Sequence, residues 1–277
     1  MKILISADIE GVAGVFNLEQ TRPGNGEYER ARRWMTEEAN AAIRGAFEGG
    51  ATEVLVNDSH GTFRNLLVDA LDPRASYVLG KPRYLGMMAG LESGCDAVLL
   101  LGYHSQAQGR GVLAHTINSF AFARVEINGE PFGEAALYGG LAAEMGVAVI
   151  FGSGDDQFIA ENKQRFPDAL WVQTKIAYGH SSGLSLSLEA SRLAIAQGAE
   201  TAVRALAQRK VNALAPRSLS SAIHCRLTTQ GPAFADLFCT LPQLNRLDGV
   251  TLEFSAPSMA QVIRILNSMA AMSFMLR

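Results

Sequence analysis

Cysteine is scarce in this 277-residue sequence: Cys95, Cys225 and Cys239 are the whole supply. The number is odd and none forms a C-x-x-C pair. A disulfide framework is therefore not expected, and a reducing compartment is. Charge is sparse as well. Only 18% of residues are Asp, Glu, Lys or Arg, against 48% hydrophobic, and the net charge is −3. A chain this apolar is expected to fold around a packed core. With no polybasic stripe, neither nucleic acid nor an anionic membrane surface is an expected partner. Long hydrophobic runs are missing too. No stretch approaches the ~20 apolar residues of a membrane span, and acids follow the first apolar run too soon for a signal peptide. The expectation is a cytoplasmic protein with no membrane partner.

Short apolar runs recur instead: KILISA (2–7), TEVLVN (52–57), ASYVLG (75–80), DAVLLLG (96–102), VAVIFG (147–152) and ALWVQTK (169–175). Several are continuous rather than alternating, as in parallel strands covered on both faces. Helical patterns lie between them over 28–49, 133–145 and 186–209, the first two closed by glycine. Asn128-Gly129 between extended flanks signals a hairpin. This alternation predicts an α/β fold: an open, mainly parallel sheet with helices on both faces over 1–214. From Ala215 a Pro-containing turn changes the texture. A strand-like run, a helix near 233–238, a strand over 250–256 and a helix over 258–272 with Ser258 as N-cap read as a smaller α/β subdomain, 215–277. A continuation of the main domain is nearly as good a reading.

Open parallel sheets bind ligands beyond the carboxyl ends of their strands. The first strand runs into Asp8 and Glu10, two like charges one residue apart. If the chain stays extended, both acids share a face. Unscreened, one would have to hold a proton, and a cation removes that cost. The second strand runs into Asp58-Ser59-His60, the fourth into Tyr103-His104, and Glu134 opens the helix after the hairpin. His115 sits in a Gly-rich stretch soon after His104. Two carboxylates, two histidines and a further glutamate suit zinc. They exceed one tetrahedral ion and fit two ions ~3.5–4 Å apart. Imidazole argues against magnesium.

Plainer readings apply to the neighbours. Asp58 and Ser59 read as turn or cap residues. Asp155, in FGSGDD, reads as a helix N-cap or a supporting partner, since a lone G-x-G makes a weak phosphate loop. His224 reads as core. Lys175, Tyr178 and His180 could reach substrate, although Tyr178 and His180 read more simply as a solvated loop.

The motifs Ser6-Ala7-Asp8-Ile9-Glu10-Gly11, Asn57-Asp58-Ser59-His60, Gly102-Tyr103-His104, Ala114-His115-Thr116 and Gly133-Glu134 together resemble those of the zinc D-aminopeptidases, a family associated with a bacterial dipeptide-transport operon. The resemblance runs in order to at least Ser187. It implies two zinc ions per chain on Asp8, Glu10, His60, His104 and Glu134, with Asp8 bridging and His115 catalytic. It also implies release of N-terminal D-amino acids from short peptides, and a ring-like homo-oligomer. Substrate-binding residues stay unassigned. The segment KIAYGHSSGLSLSLEAS departs from the family pattern, where Arg is expected nearer His180 and Pro nearer Leu188. Two other readings compete: a magnesium-dependent phosphohydrolase, since Asp-x-acid after a first strand also suits a phosphoryl nucleophile, and a non-enzymatic, metal-dependent peptide-binding protein.

Overall fold

The computed structural model describes residues 1–208 and 222–277. Seven strands form the main sheet: β1 (Lys2–Ala7), β2 (Glu53–Asp58), β3 (Ser76–Val78), β4 (Ala97–Leu101), β7 (Ala148–Asp155), β8 (Leu170–Gly179) and β9 (Ser182–Ser185), in the order β3-β2-β1-β4-β7-β8-β9. Every pairing is parallel except β8 with β9. The chain builds outward from β1 through β2 to β3, then returns to lay β4 on the other side of β1. The junction of β1 and β4 is thus the point where the winding reverses, and there the ends of neighbouring strands part into a crevice.

Alternate residues of these strands enter opposite layers. Ile3, Ile5, Leu99 and Leu101 pack with α1 (Gly26–Glu48) and α4 (Leu188–Gln208). Leu4, Val98, Leu100 and Val149 pack with α2 (Glu134–Glu144) and, beyond it, a second sheet. That antiparallel sheet has the order β11-β12-β10-β5-β6, from β5 (Phe122–Ile127), β6 (Glu130–Pro131), β10 (Ile223–Thr229), β11 (Asn245–Arg246) and β12 (Thr251–Ala256). The β5–β6 hairpin turns at Asn128 and Gly129, both at positive φ (52° and 84°), as a tight two-residue hairpin loop requires. β5 then pairs with β10, placing Cys225 opposite Ile127. The second sheet therefore draws on segments 122–131 and 223–256. The boundary expected at 214/215 lies outside the described residues, as does the expected end of the third helix at Arg209.

Three local outcomes differ from the sequence reading. β7 continues through Asp155 into a short helix, α3 (Asp156–Asn162). β8 continues through Tyr178 and turns back as β9, so that segment is a hairpin at the sheet edge. His224 is not core. It lies on β10 with Nε2 3.0 Å from Glu253 Oε2, on a half-exposed face. After a short helix, α5 (Pro232–Phe238), the last helix, α6 (Met259–Met272), is capped by Ser258 Oγ accepting from Gln261 N. It buries Met259, Val262, Ile263, Leu266 and Met269, the spacing of one helical face. With the turn that follows, 259–276 is apolar enough to cross a membrane by length and composition, but this inner face is packed into the core with β10 and β12. Phe274, Met275 and Leu276 are exposed.

Behind β1, one buried acid ties both helices of the first layer to the loop that leaves the strand. On α1, Glu38 Oε1 accepts from Ala13 N (3.1 Å) and from Ser191 Oγ of α4 (2.8 Å), while Oε2 has no hydrogen-bond partner. Burial pushes this carboxyl up from an ordinary 4.5 to about 7, against the pull of Ser191 and Ala13. The folded chain thus keeps a proton that the unfolded chain has released. The stability this group contributes is whole below about pH 4.5 and is lost as pH rises through about 7. Urea unfolding of Glu38→Gln against the wild type should show this: between pH 5 and 8 the wild type should lose up to about 3 kcal/mol relative to the variant. Parallel pH profiles would mean that Glu38 carries no such proton.

Candidate metal centre

Five expected residues converge at the β1/β4 junction, but not all for the expected reason. β1 ends at Ala7, and the chain turns at once, with Val12 N on Ile9 O and Val15 N on Val12 O (both 3.2 Å). Asp8 and Glu10 therefore meet through a turn and not through strand alternation. That turn lies hard against the exit of β4. Gly11 N donates to Gly102 O at 2.7 Å. A Cβ on Gly11 would stand 2.0 Å from Tyr103 O, and one on Gly102, at φ +66°, 2.4 Å from Asp8 O. Only glycine at both positions permits this approach.

The remaining side chains arrive by three routes. His60 follows β2 on a loop held by Asp58, whose buried carboxylate accepts from Asn65 N, Asn65 Nδ2 and Leu66 N. Asn65 Nδ2 also donates to His60 O (2.6 Å). Asp58 thus serves as the turn-holding acid the sequence suggested. His104 follows β4, above a buried hydroxyl cluster of Ser6, Ser59 and Tyr103. Glu134 is the first residue of α2, and Ile117 N donates to its Oε1 (2.6 Å).

Asp8 stands at the centre. Its Oδ1 is 3.3 Å from His60 Nδ1, and its Oδ2 is 3.5 Å from His104 Nε2. On the first side, Glu10 Oε2 lies 3.0 Å from His60 Nδ1. On the other, Glu134 Oε1 lies 3.5 Å from His104 Nε2 and 3.7 Å from His115 Nε2. The rings of His104 and His115 stack at 4.1 Å, 6° from parallel. Each imidazole turns its other nitrogen to a backbone carbonyl: His60 Nε2 to Thr21 O, His104 Nδ1 to Ser105 O and His115 Nδ1 to Leu113 O. A carbonyl only accepts, so those nitrogens carry hydrogen. The neutral ring then directs its lone pair into the cleft, the tautomer a metal ligand needs.

The electrostatics describe a cleft built for more positive charge than its side chains bring. Burial and the charge of Glu10 push Asp8 up to about 8. Burial opposes ionisation of Glu10 too, but His60 beside it prevails and holds that carboxyl well below its usual range. Burial works against protonated His60 and His104. Even so, Glu10 and Asp8 raise the first well above the imidazole range, and Glu134 and Asp8 raise the second to about 10. Glu134 is lowered: burial is outweighed by His104. His115 alone among the three rings is pushed down, by burial and by His104.

Buried Asp8 Oδ2, Glu10 Oε2 and His104 Nε2 have no hydrogen-bond partner. Donor atoms of Asp8, Glu10 and His104 lie within 4.8 Å of one another, as do those of His104, His115 and Glu134. These orphaned oxygens and nitrogens fit divalent ions that accept both donor types. His115 belongs to the second cluster by geometry, which spacing alone did not reveal.

Other sequence candidates fall outside the cleft. Asp155 caps α3 by accepting from Phe158 N, and also accepts from Val112 N. Tyr178 and His180 line an open cavity of about 370 Å³ with Arg110 and Gln157. Lys175 is buried under the Glu10 turn. Expected to reach substrate, it donates instead to Glu10 O and Val15 O, while Thr174 had no local signal because β8 lies far along the chain.

A family profile described as D-aminopeptidase matches residues 1–268. The sequence is 37% identical over 187 residues to a D-aminopeptidase of Bacillus subtilis (strain 168), covering 68% of each chain. In structure it is similar to DppA, a zinc-dependent D-aminopeptidase from Bacillus subtilis described as a self-compartmentalizing protease. The TM-score is 0.91 at 30% identity, with 99% of this chain and 98% of that chain covered.

Proposed function

This chain belongs to the D-aminopeptidase family of peptidases, and from that premise we propose that it binds two zinc ions through Asp8, Glu10, His60, His104 and Glu134 and releases N-terminal D-residues from short peptides. The observation that carries this reading is the placement of Asp8, with one carboxylate oxygen toward His60 and the other toward His104. A carboxylate so placed suits a bridge between two ions, Glu10 and His60 completing one side and His104 and Glu134 the other. A zinc pair held by these residues would supply activated water at neutral pH and polarise a peptide carbonyl. Three imidazoles around the cleft do not support the magnesium phosphohydrolase reading.

The chain's own groups perform the rest. His115 is the ring held neutral, with Nδ1–H on Leu113 O and Nε2 turned inward. At that nitrogen it takes a proton from the attacking water and returns it to the leaving amine. The acids of the cleft attract the substrate's free ammonium group. Self-association into a ring is supported by the relative described as self-compartmentalizing. A cytoplasmic setting is supported by three free cysteines.

Four outcomes test this reading. The purified protein should contain two zinc equivalents per chain and hydrolyse D-alanyl dipeptides, whereas intact peptide after long incubation would favour a binding protein. Asp8→Ala should lose both ions by elemental analysis, and retention of two would remove the bridge. His115→Ala should lower turnover about 10²–10⁴-fold with zinc unchanged. Loss of an ion with that side chain would make His115 a ligand. Sedimentation should show a particle several times the 29.7 kDa chain mass, and a concentration-independent monomer would contradict self-association.

A further inference from the structure

We propose that Lys175, together with Thr174, is a positioning device for the cleft: from β8 the two side chains clamp the Glu10–Val15 turn and so hold the Glu10 carboxylate in metal-binding geometry. This rests on the zinc reading above.

Lys175 is among the largest fully buried side chains of the protein. Its Nζ donates to Glu10 O and to Val15 O (2.7 Å), and the ammonium lies 5.3 Å from the centre of the Phe16 ring. Among the described residues, no carboxylate lies within ion-pair distance of it. Thr174 Oγ1 donates to Gly11 O (2.6 Å) and is also 3.1 Å from Gly154 O. The carbonyls of two successive turn residues, Glu10 and Gly11, are thus gripped by two successive residues of one strand.

A regular strand cannot do this, because neighbouring side chains point to opposite faces. The pairing of β7 with β8 shifts register here, with Gly154 opposite Gln173 but Asp155 opposite Lys175. The extra residue in β8 is Thr174. Such a bulge re-aims side chains, and here it sends both to the same turn. A bulge of this kind is frequent beside active sites.

The choice of lysine is costly if packing is its only purpose. An ammonium removed from water without a carboxylate partner is expensive, and a methionine would fill the same space without that cost. What the charge adds is a firm grip on carbonyls that the turn cannot hold alone, since its internal bonds are both 3.2 Å. It also places positive charge behind Glu10, in a cleft where Asp8, Glu10 and Glu134 repel one another.

The test is zinc competition against a chromophoric chelator, with Tm of the metal-free protein measured in parallel. For Lys175→Met we expect one of the two zinc equivalents to weaken about 10–100-fold, as for other residues that orient a ligand, with the second little changed. Thr174→Val, which keeps the ammonium, should weaken the same equivalent to a smaller extent, and it decides the question if the methionine variant does not fold. Two equivalents bound as tightly as in the wild type would overturn the inference, as would equal weakening of both in step with a lower Tm. Failure of the wild type to bind zinc would instead overturn the metal reading, and this inference with it.

Discussion

The close crossing of two chain segments at the β1/β4 junction is the constraint on which the rest of the cleft depends. Gly11 and Gly102 bring the exits of the two strands within one hydrogen bond, with no space for a side-chain carbon at either. Asp8 and His104 are fixed on opposite sides of that crossing. Their separation is a property of the sheet and not of flexible loops. Everything added later, His60 from β2, Glu134 from α2 and the clamp from β8, is arranged around those two residues.

The crossing collects three buried acids and three imidazoles, and added positive charge offsets the repulsion among the acids. Burial and Glu10 push Asp8 up to about 8, while the facing acids raise His60 and His104 against burial, so these groups favour holding protons. With metal, the inward protons must leave while the outward N–H groups stay on their carbonyls. Protons and a bound cation would therefore compete for one set of lone pairs. His115 is the exception. Burial and then His104 push it toward the neutral form.

Much of this was legible in the sequence because the donors follow apolar runs directly. Asp8, Glu10, His60 and His104 could be placed at strand ends without knowing any long-range contact, and the strand–helix alternation predicted the parallel sheet that aligns those ends. Asp8 and Glu10 do lie close together, but through a turn rather than the expected strand alternation, which ends at Ala7. What stayed hidden depends on distant segments. Glu38 and Thr174 look like ordinary helix and strand residues until the loop after β1 folds against them, and Lys175, read as able to reach substrate, holds that loop from behind. His224 shows the reverse error: an apolar context suggested burial, but an alternating strand puts every second residue outside. Nothing local in 122–131 showed that it would pair with 223–229.

That last pairing ties the Glu134 side of the cleft to a distant segment. Glu134 stands directly after the β5–β6 hairpin, and β5 is an edge until β10 covers it. Ile117, which holds the Glu134 carboxylate, precedes Asn118, whose amide donates to Ser273 Oγ near the end of the chain (2.9 Å). The hairpin and loop that set Glu134 in place thus lean on β10 and on Ser273, which lie far along the sequence. A substitution in β10 or at Ser273 can therefore shift the Glu134 side of the cleft without touching any residue that lines it.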